Sequence, residues 1–162
     1  NLGVFKAETI GGSYVAVSGL PEPREDHAEV MVKFAHTCIR EINSLTNTLE
    51  ASLGPGTAEL AMRFGLHSGP VLAGVLRGEK ARFQLFGDTM NTASRIETSG
   101  KVSMIHASQS TVALLEKAGK GHWVTKREDT VTLKGKGRMH TYWIMPISRC
   151  ESNTPSTQHM FK

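Results

Sequence analysis

Phe83-Gln-Leu-Phe-Gly-Asp-Thr-Met-Asn-Thr-Ala-Ser-Arg95 changes its local character halfway along. Residues 82–86 read as a short strand, Gly87-Asp88 breaks it, and residues 89–98 form a helix that Gly100 stops. Asp88 is placed to cap that helix, because a carboxylate just ahead of the first turn accepts from backbone N–H groups that have no intrahelical partner.

The same alternation extends outward from this string. Upstream, residues 62–67 and 71–76 read as two core strands joined across Ser68-Gly69-Pro70. Ahead of them Met31, Phe34, Ala35, Cys38, Ile42, Leu45 and Leu49 recur at helical spacing, which predicts one long amphipathic helix over about 26–53, ended by Gly54-Pro55-Gly56. Residues 3–8 and 13–18 read as a hairpin around Gly11-Gly12. Downstream, residues 102–106 are extended and Ser108 opens a helix carrying Val112 and Leu115. Residues 123–125, 130–133 and 139–144 then read as strands. The expected class is α+β or α/β, a mainly antiparallel sheet with helices covering one face. Residues 147–162 are polar and irregular and read as a disordered tail.

With 162 residues and 39% hydrophobic content, the chain suits one domain with its own core. It has no long apolar run and no signal-peptide pattern at its start, so a soluble cytoplasmic domain is expected, although a membrane segment could belong to a longer parent. The abrupt start, without an initiator Met, reads as a fragment. A net charge of +4 from scattered Lys and Arg argues against nucleic acid as a partner. Cys38 and Cys150 lie in unlike settings and predict no disulfide, and the seven singly spread histidines show no zinc-ligand spacing.

Four stretches, in order, carry a resemblance: residues 5–14 (Phe-Lys-Ala-Glu-Thr-Ile-Gly-Gly-Ser-Tyr), 63–71 (Arg-Phe-Gly-Leu-His-Ser-Gly-Pro-Val), 83–95 above, and Leu133-Lys-Gly-Lys-Gly137 with Thr141-Tyr-Trp143. Together they resemble the catalytic domain of class III adenylyl and guanylyl cyclases, most closely the eukaryotic receptor-type guanylyl cyclases. The resemblance implies a ferredoxin-like domain over residues 1–146, incomplete at its N-terminal side. Such a domain pairs head to tail with a second copy or a paralogue, and its active sites are formed at the shared interface. It also implies attack of the ribose 3′-hydroxyl on the α-phosphate of a nucleoside triphosphate, a reaction that asks mainly for positioning and charge neutralisation.

The resemblance gives roles to particular residues. Glu8 stands where guanylyl cyclases read the purine with Glu and adenylyl cyclases with Lys; a carboxylate accepts from the N1 and 2-amino hydrogens of guanine. Gln84 fills the second base-reading position, usually Cys or Asp, and a carboxamide that can either donate or accept leaves the base open there. Asn91 and Arg95, four apart, share a helix face; the first matches the ribose-orienting Asn, the second the Arg that meets the α-phosphate. Lys134 is assigned to the terminal phosphates, with Lys136 alternating beside it on an extended backbone. Without the surrounding motifs each would read as an ordinary solvated side chain.

One departure stands out. Gly12 occupies the position of a family metal-binding Asp, and the other such Asp belongs to a strand before Asn1. A chain without these carboxylates offers no oxygen ligand for Mg²⁺ or Mn²⁺, so those ligands are expected from a partner subunit. Asp88 is not read as a metal ligand, and His67, Ser68 and Gly69 are read as a turn instead of nucleophile machinery. Two alternatives stay open: an inactive pseudo-cyclase module that binds nucleotide or dimerises, and an adenylyl cyclase.

Overall fold

A computed structural model describes residues 3–10, 12–76, 82–133 and 135–145, with backbone alone for Glu8, Ile10, Ala58, Leu76, Arg82 and Leu133. The elements in order are β1 (Val4–Ile10), β2 (Ser13–Ser18), α1 (His27–Leu53), β3 (Phe64–Leu66), β4 (Leu72–Leu76), β5 (Arg82–Phe86) and α2 (Asp88–Thr98). They continue with β6 (Ile105–Ser108), α3 (Gln109–Lys117), β7 (Val124–Lys126), β8 (Val131–Leu133), β9 (Gly137–Met139) and β10 (Thr141–Ile144). The expected tail and Cys150 lie outside the described residues.

The central sheet runs β3-β6-β10-β7, with β3 parallel to β6 and the other pairs antiparallel. Strand alternation sorts its two faces. Leu66, Ile105, Ala107 and Ile144 share a core with Ala28, Val32 and Ala35 of α1 and Val112 and Leu115 of α3. The intervening residues Gly65, His106 and Trp143 point to the other face, where α2 packs: His106 Nδ1 lies 2.7 Å from the Ile96 carbonyl and its ring is 4.7 Å from that of Trp143. The α+β class therefore holds, with a refinement: α1 and α3 cover one face and α2 lies against the other. Gly65 makes this possible, since a Cβ there would sit 2.2 Å from the Glu97 backbone nitrogen.

Several expected boundaries move. The strands read at 62–67 and 71–76 are not neighbours: β3 belongs to the central sheet, whereas β4 pairs with β5 in a separate hairpin. Nor is β4 a core strand, because Leu72 is 71% and Val75 63% exposed. The single strand read at 139–144 divides at His140 into β9, paired with β8, and β10, in the central sheet. Residues 102–104 are irregular and that strand starts at Ile105. On α1, Ala35 is buried as expected but Leu45 is 57% exposed, since the sheet supports only the N-terminal half of this 27-residue helix.

Candidate active site

Helix α2 begins one residue earlier than its sequence suggests. Gly87, at φ 124°, is the residue ahead of the first turn, and Asp88 is the first helical residue with no side-chain capping bond. The expected cap is thus corrected: glycine alone suits that backbone, and the carboxylate is left free to act elsewhere. It pairs with Lys136, which reaches across from the β8–β9 turn. That hydrogen bond, helped by the charges of Lys136, His67 and Arg95, holds the Asp88 carboxyl below the usual carboxylate range.

Asp88, Asn91 and Arg95 are spaced i, i+3, i+7 and so form one stripe along α2. Asn91 is exposed and Arg95 half-buried. Over the stripe lies the β8–β9 turn, and a Cβ built on Gly135 would stand 3.7 Å from Arg95 Nη1. Gly135 and Lys136 form a turn ahead of β9, not the expected extended run. Gly135 and Gly137, at φ 80° and 72°, adopt backbone shapes that other residues resist. Lys134 lies outside the described residues; the two residues after it, Gly135 and Lys136, lie by Arg95 and Asp88.

The two positions expected to read the base, Glu8 and Gln84, lie on adjoining hairpins. Gln84, half-buried on β5, faces Gly74 across the β4–β5 ladder. Phe83 next to it packs edge-on against Phe5 of β1 at 5.3 Å, which brings the Glu8 strand alongside. The β1–β2 ladder pairs Lys6 with Ala16 and Glu8 with Val15, so Ala7 is an extra, bulged residue immediately before Glu8. Bulges of this kind bend a strand and re-aim its side chains, a device that sequence pattern alone did not reveal.

At the β1–β2 turn, Gly12 is exposed and a Cβ there would meet nothing within 4 Å. Among the described residues no three His, Cys, Asp or Glu side chains stand together where they could hold a metal ion.

Two clefts indent the described surface. One, of about 320 Å³, lies between β2 and β3 over Ala28 and Met31 of α1; the other, of about 520 Å³, lies around Pro70 and Gly87. Gln84, Asn91 and Arg95 do not line either of these two clefts. His67 borders both clefts, with Nδ1 2.8 Å from Ser108 Oγ and 3.1 Å from Ser110 Oγ, and Ser68 Oγ is 3.1 Å from Thr111 Oγ1. These hydroxyl partners fit a structural turn. Burial, and then the Lys136 charge, hold the His67 imidazole below its ordinary value.

With fold and site in view, the chain belongs to the adenylate and guanylate cyclase catalytic domain family, whose model matches residues 1–146. Its relatives narrow the class. It is 39% identical over 145 residues to the receptor-type guanylate cyclase gcy-28 of Caenorhabditis elegans, a match covering 89% of this chain and 11% of that protein. The guanylate cyclase domain of RhGC from Catenaria anguillulae, solved in complex with GTP, is 40% identical with a TM-score of 0.71 over 89% of this chain and 73% of that one. A guanylyl cyclase domain of the RhoGC fusion protein from Blastocladiella emersonii, solved as a non-canonical dimer, is 36% identical with a TM-score of 0.69, covering 88% and 72%. The chain thus spans about a tenth of its receptor-type relative's length.

Proposed function

We propose that this chain is the nucleotide-gripping half of a guanylyl cyclase pair, which converts GTP to 3′,5′-cyclic GMP and pyrophosphate. The observation that carries this reading is the stripe of α2, where Arg95 meets the glycine-rich β8–β9 turn, while Gly12 puts no carboxylate at its own position at the β1–β2 turn. Residues 1–146 act as the catalytic domain. Glu8 and Gln84 read the base, Asn91 orients the ribose, and Arg95 and Lys134 take the α- and terminal phosphates.

In the reaction the 3′-oxygen attacks the α-phosphorus, the bond to the bridging oxygen breaks, pyrophosphate leaves, and the hydroxyl proton passes to solvent. Charge accumulates on the phosphoryl oxygens as this happens. A guanidinium stabilises it without changing protonation, and its fixed fork of donors needs no rearrangement at that moment. The exposed Asn91 supports a cleft completed by a second cyclase domain. That partner supplies the carboxylates for Mg²⁺ or Mn²⁺, which lend electrophilic assistance to the phosphates. The domain works in the cytoplasm, and no described helix is long and apolar enough to cross a membrane.

Gly12 also favours a second reading, a nucleotide-binding or dimerising module without turnover. The two separate when the chain is assayed with GTP and Mn²⁺ or Mg²⁺, alone and mixed with a metal-competent cyclase domain. Cyclic GMP that rises on mixing supports the enzyme half, and no product in any pairing supports the module.

A further inference from the structure

Hairpin β8–β9 has three ladder rungs, Val131↔Met139, Thr132↔Arg138 and Leu133↔Gly137. Among the described side chains its apolar support is Val131 and Met139, packed on Ile96 near the C-terminal end of α2. A two-stranded hairpin this short is marginal unaided, and its turn carries glycines at 135 and 137. A second point of attachment is therefore needed to hold the turn along α2. Asp88 provides it two helical turns away, about 10 Å along the axis from Arg95.

We propose that the Asp88–Lys136 ion pair is a latch that lays the β8–β9 turn along the α2 stripe, making both residues positioning residues for the phosphate-binding turn. The latch rests on the cyclase reading above. It acts in two ways. It fixes where the backbone on either side of Lys134 runs, and it occupies the carboxylate of Asp88, whose negative charge would otherwise be free to draw Arg95 away from phosphate. The pair is open to solvent, with Asp88 69% and Lys136 29% exposed at the side chain, so its strength is modest and falls with salt.

Two measurements test the latch. The first needs no turnover: hydrogen exchange of the amides of residues 131–139 in the chain by itself, for the wild type, Asp88→Asn, Lys136→Met and the reversed pair Asp88→Lys with Lys136→Asp. Each single change should speed exchange there about two- to fivefold, as expected for loss of an exposed ion pair, while α1 and α3 stay protected; the reversed pair should slow it again. The second is the GTP dependence of cyclic GMP formation in the mixture with a metal-competent domain. The singles should raise KM about fivefold and leave kcat within about twofold, and the reversed pair should recover KM. Unchanged exchange in both singles overturns the latch. So does a KM defect in Lys136→Met that Asp88→Asn does not share and the reversed pair does not repair, for then Lys136 meets the nucleotide directly. If the wild-type mixture makes no product, the cyclase reading fails while the exchange result still decides the latch.

Discussion

The β1–β2 turn and the β8–β9 turn are both glycine-containing hairpin turns, yet their surroundings are opposite. At Gly12 an added Cβ meets nothing within 4 Å, whereas at Gly135 the guanidinium of Arg95 stands 3.7 Å from where a Cβ would be, and Lys136 beside it is held by Asp88. One turn is open at Gly12; the other has two cations, Arg95 and Lys136, beside it. On the proposed reading a cyclase half grips the polyphosphate while its partner holds the ions, because the two tasks fall on separate hairpins.

The largest effect should come from the crowded turn. Arg95→Ala should cut cyclic GMP formation in a productive mixture by about 10²–10³, the usual loss when a preorganised donor to a developing anion is removed. Arg95→Lys should recover little of it, since an ammonium lacks the fork. Next is the support beneath α2: Gly65→Ala puts a methyl group 2.2–2.6 Å from Glu97 and should cost about 1–3 kcal/mol in urea unfolding. Of similar size is the base swap. Glu8→Lys with Gln84→Asp should shift the ATP-over-GTP ratio of kcat/KM by at least about tenfold, and an unchanged ratio would remove both residues from base reading.

Acid should also distinguish the regions. His36, His67 and His106 are each held below the ordinary imidazole value, chiefly by burial, and His106 is fully buried with Nε2 unpartnered. The unfolded chain then binds protons first, so their contribution is complete above about pH 6.5 and is lost as pH falls toward the lower folded-state values. Urea midpoints at pH 7.5 and 5.5 should show that drop. The smallest effect belongs to the empty turn: Gly12→Asp has room and should leave stability within about 0.5 kcal/mol.

How much of this the residues disclose depends on range. The change from strand to helix between Phe86 and Thr89 is local chemistry and was legible, as were the β1–β2 hairpin and the stop at Gly54. Pairing was not. Periodicity finds β3 and β4 but does not reveal that β3 takes β6 as its neighbour while β4 turns out to β5, because partner choice rests on contacts far apart in sequence. The helix against the second face was equally hidden: Gly65 reads as punctuation until Glu97 is seen resting on it. Among the proposed site residues, helical spacing puts Asn91 and Arg95 on one face and the resemblance to the cyclases gives them their roles, whereas the Asp88–Lys136 pair joins positions 48 apart and leaves no local trace.

The division of labour between two subunits is best tested by complementing defects. A cyclase domain that retains both metal-binding aspartates, but whose own matching Asn and Arg are replaced by Ala, is mixed with this chain and supplied with GTP and Mn²⁺. Cyclic GMP should form only in the mixture and vanish when this chain carries Arg95→Ala. Product from this chain without a partner, or product that survives Arg95→Ala, would contradict the account.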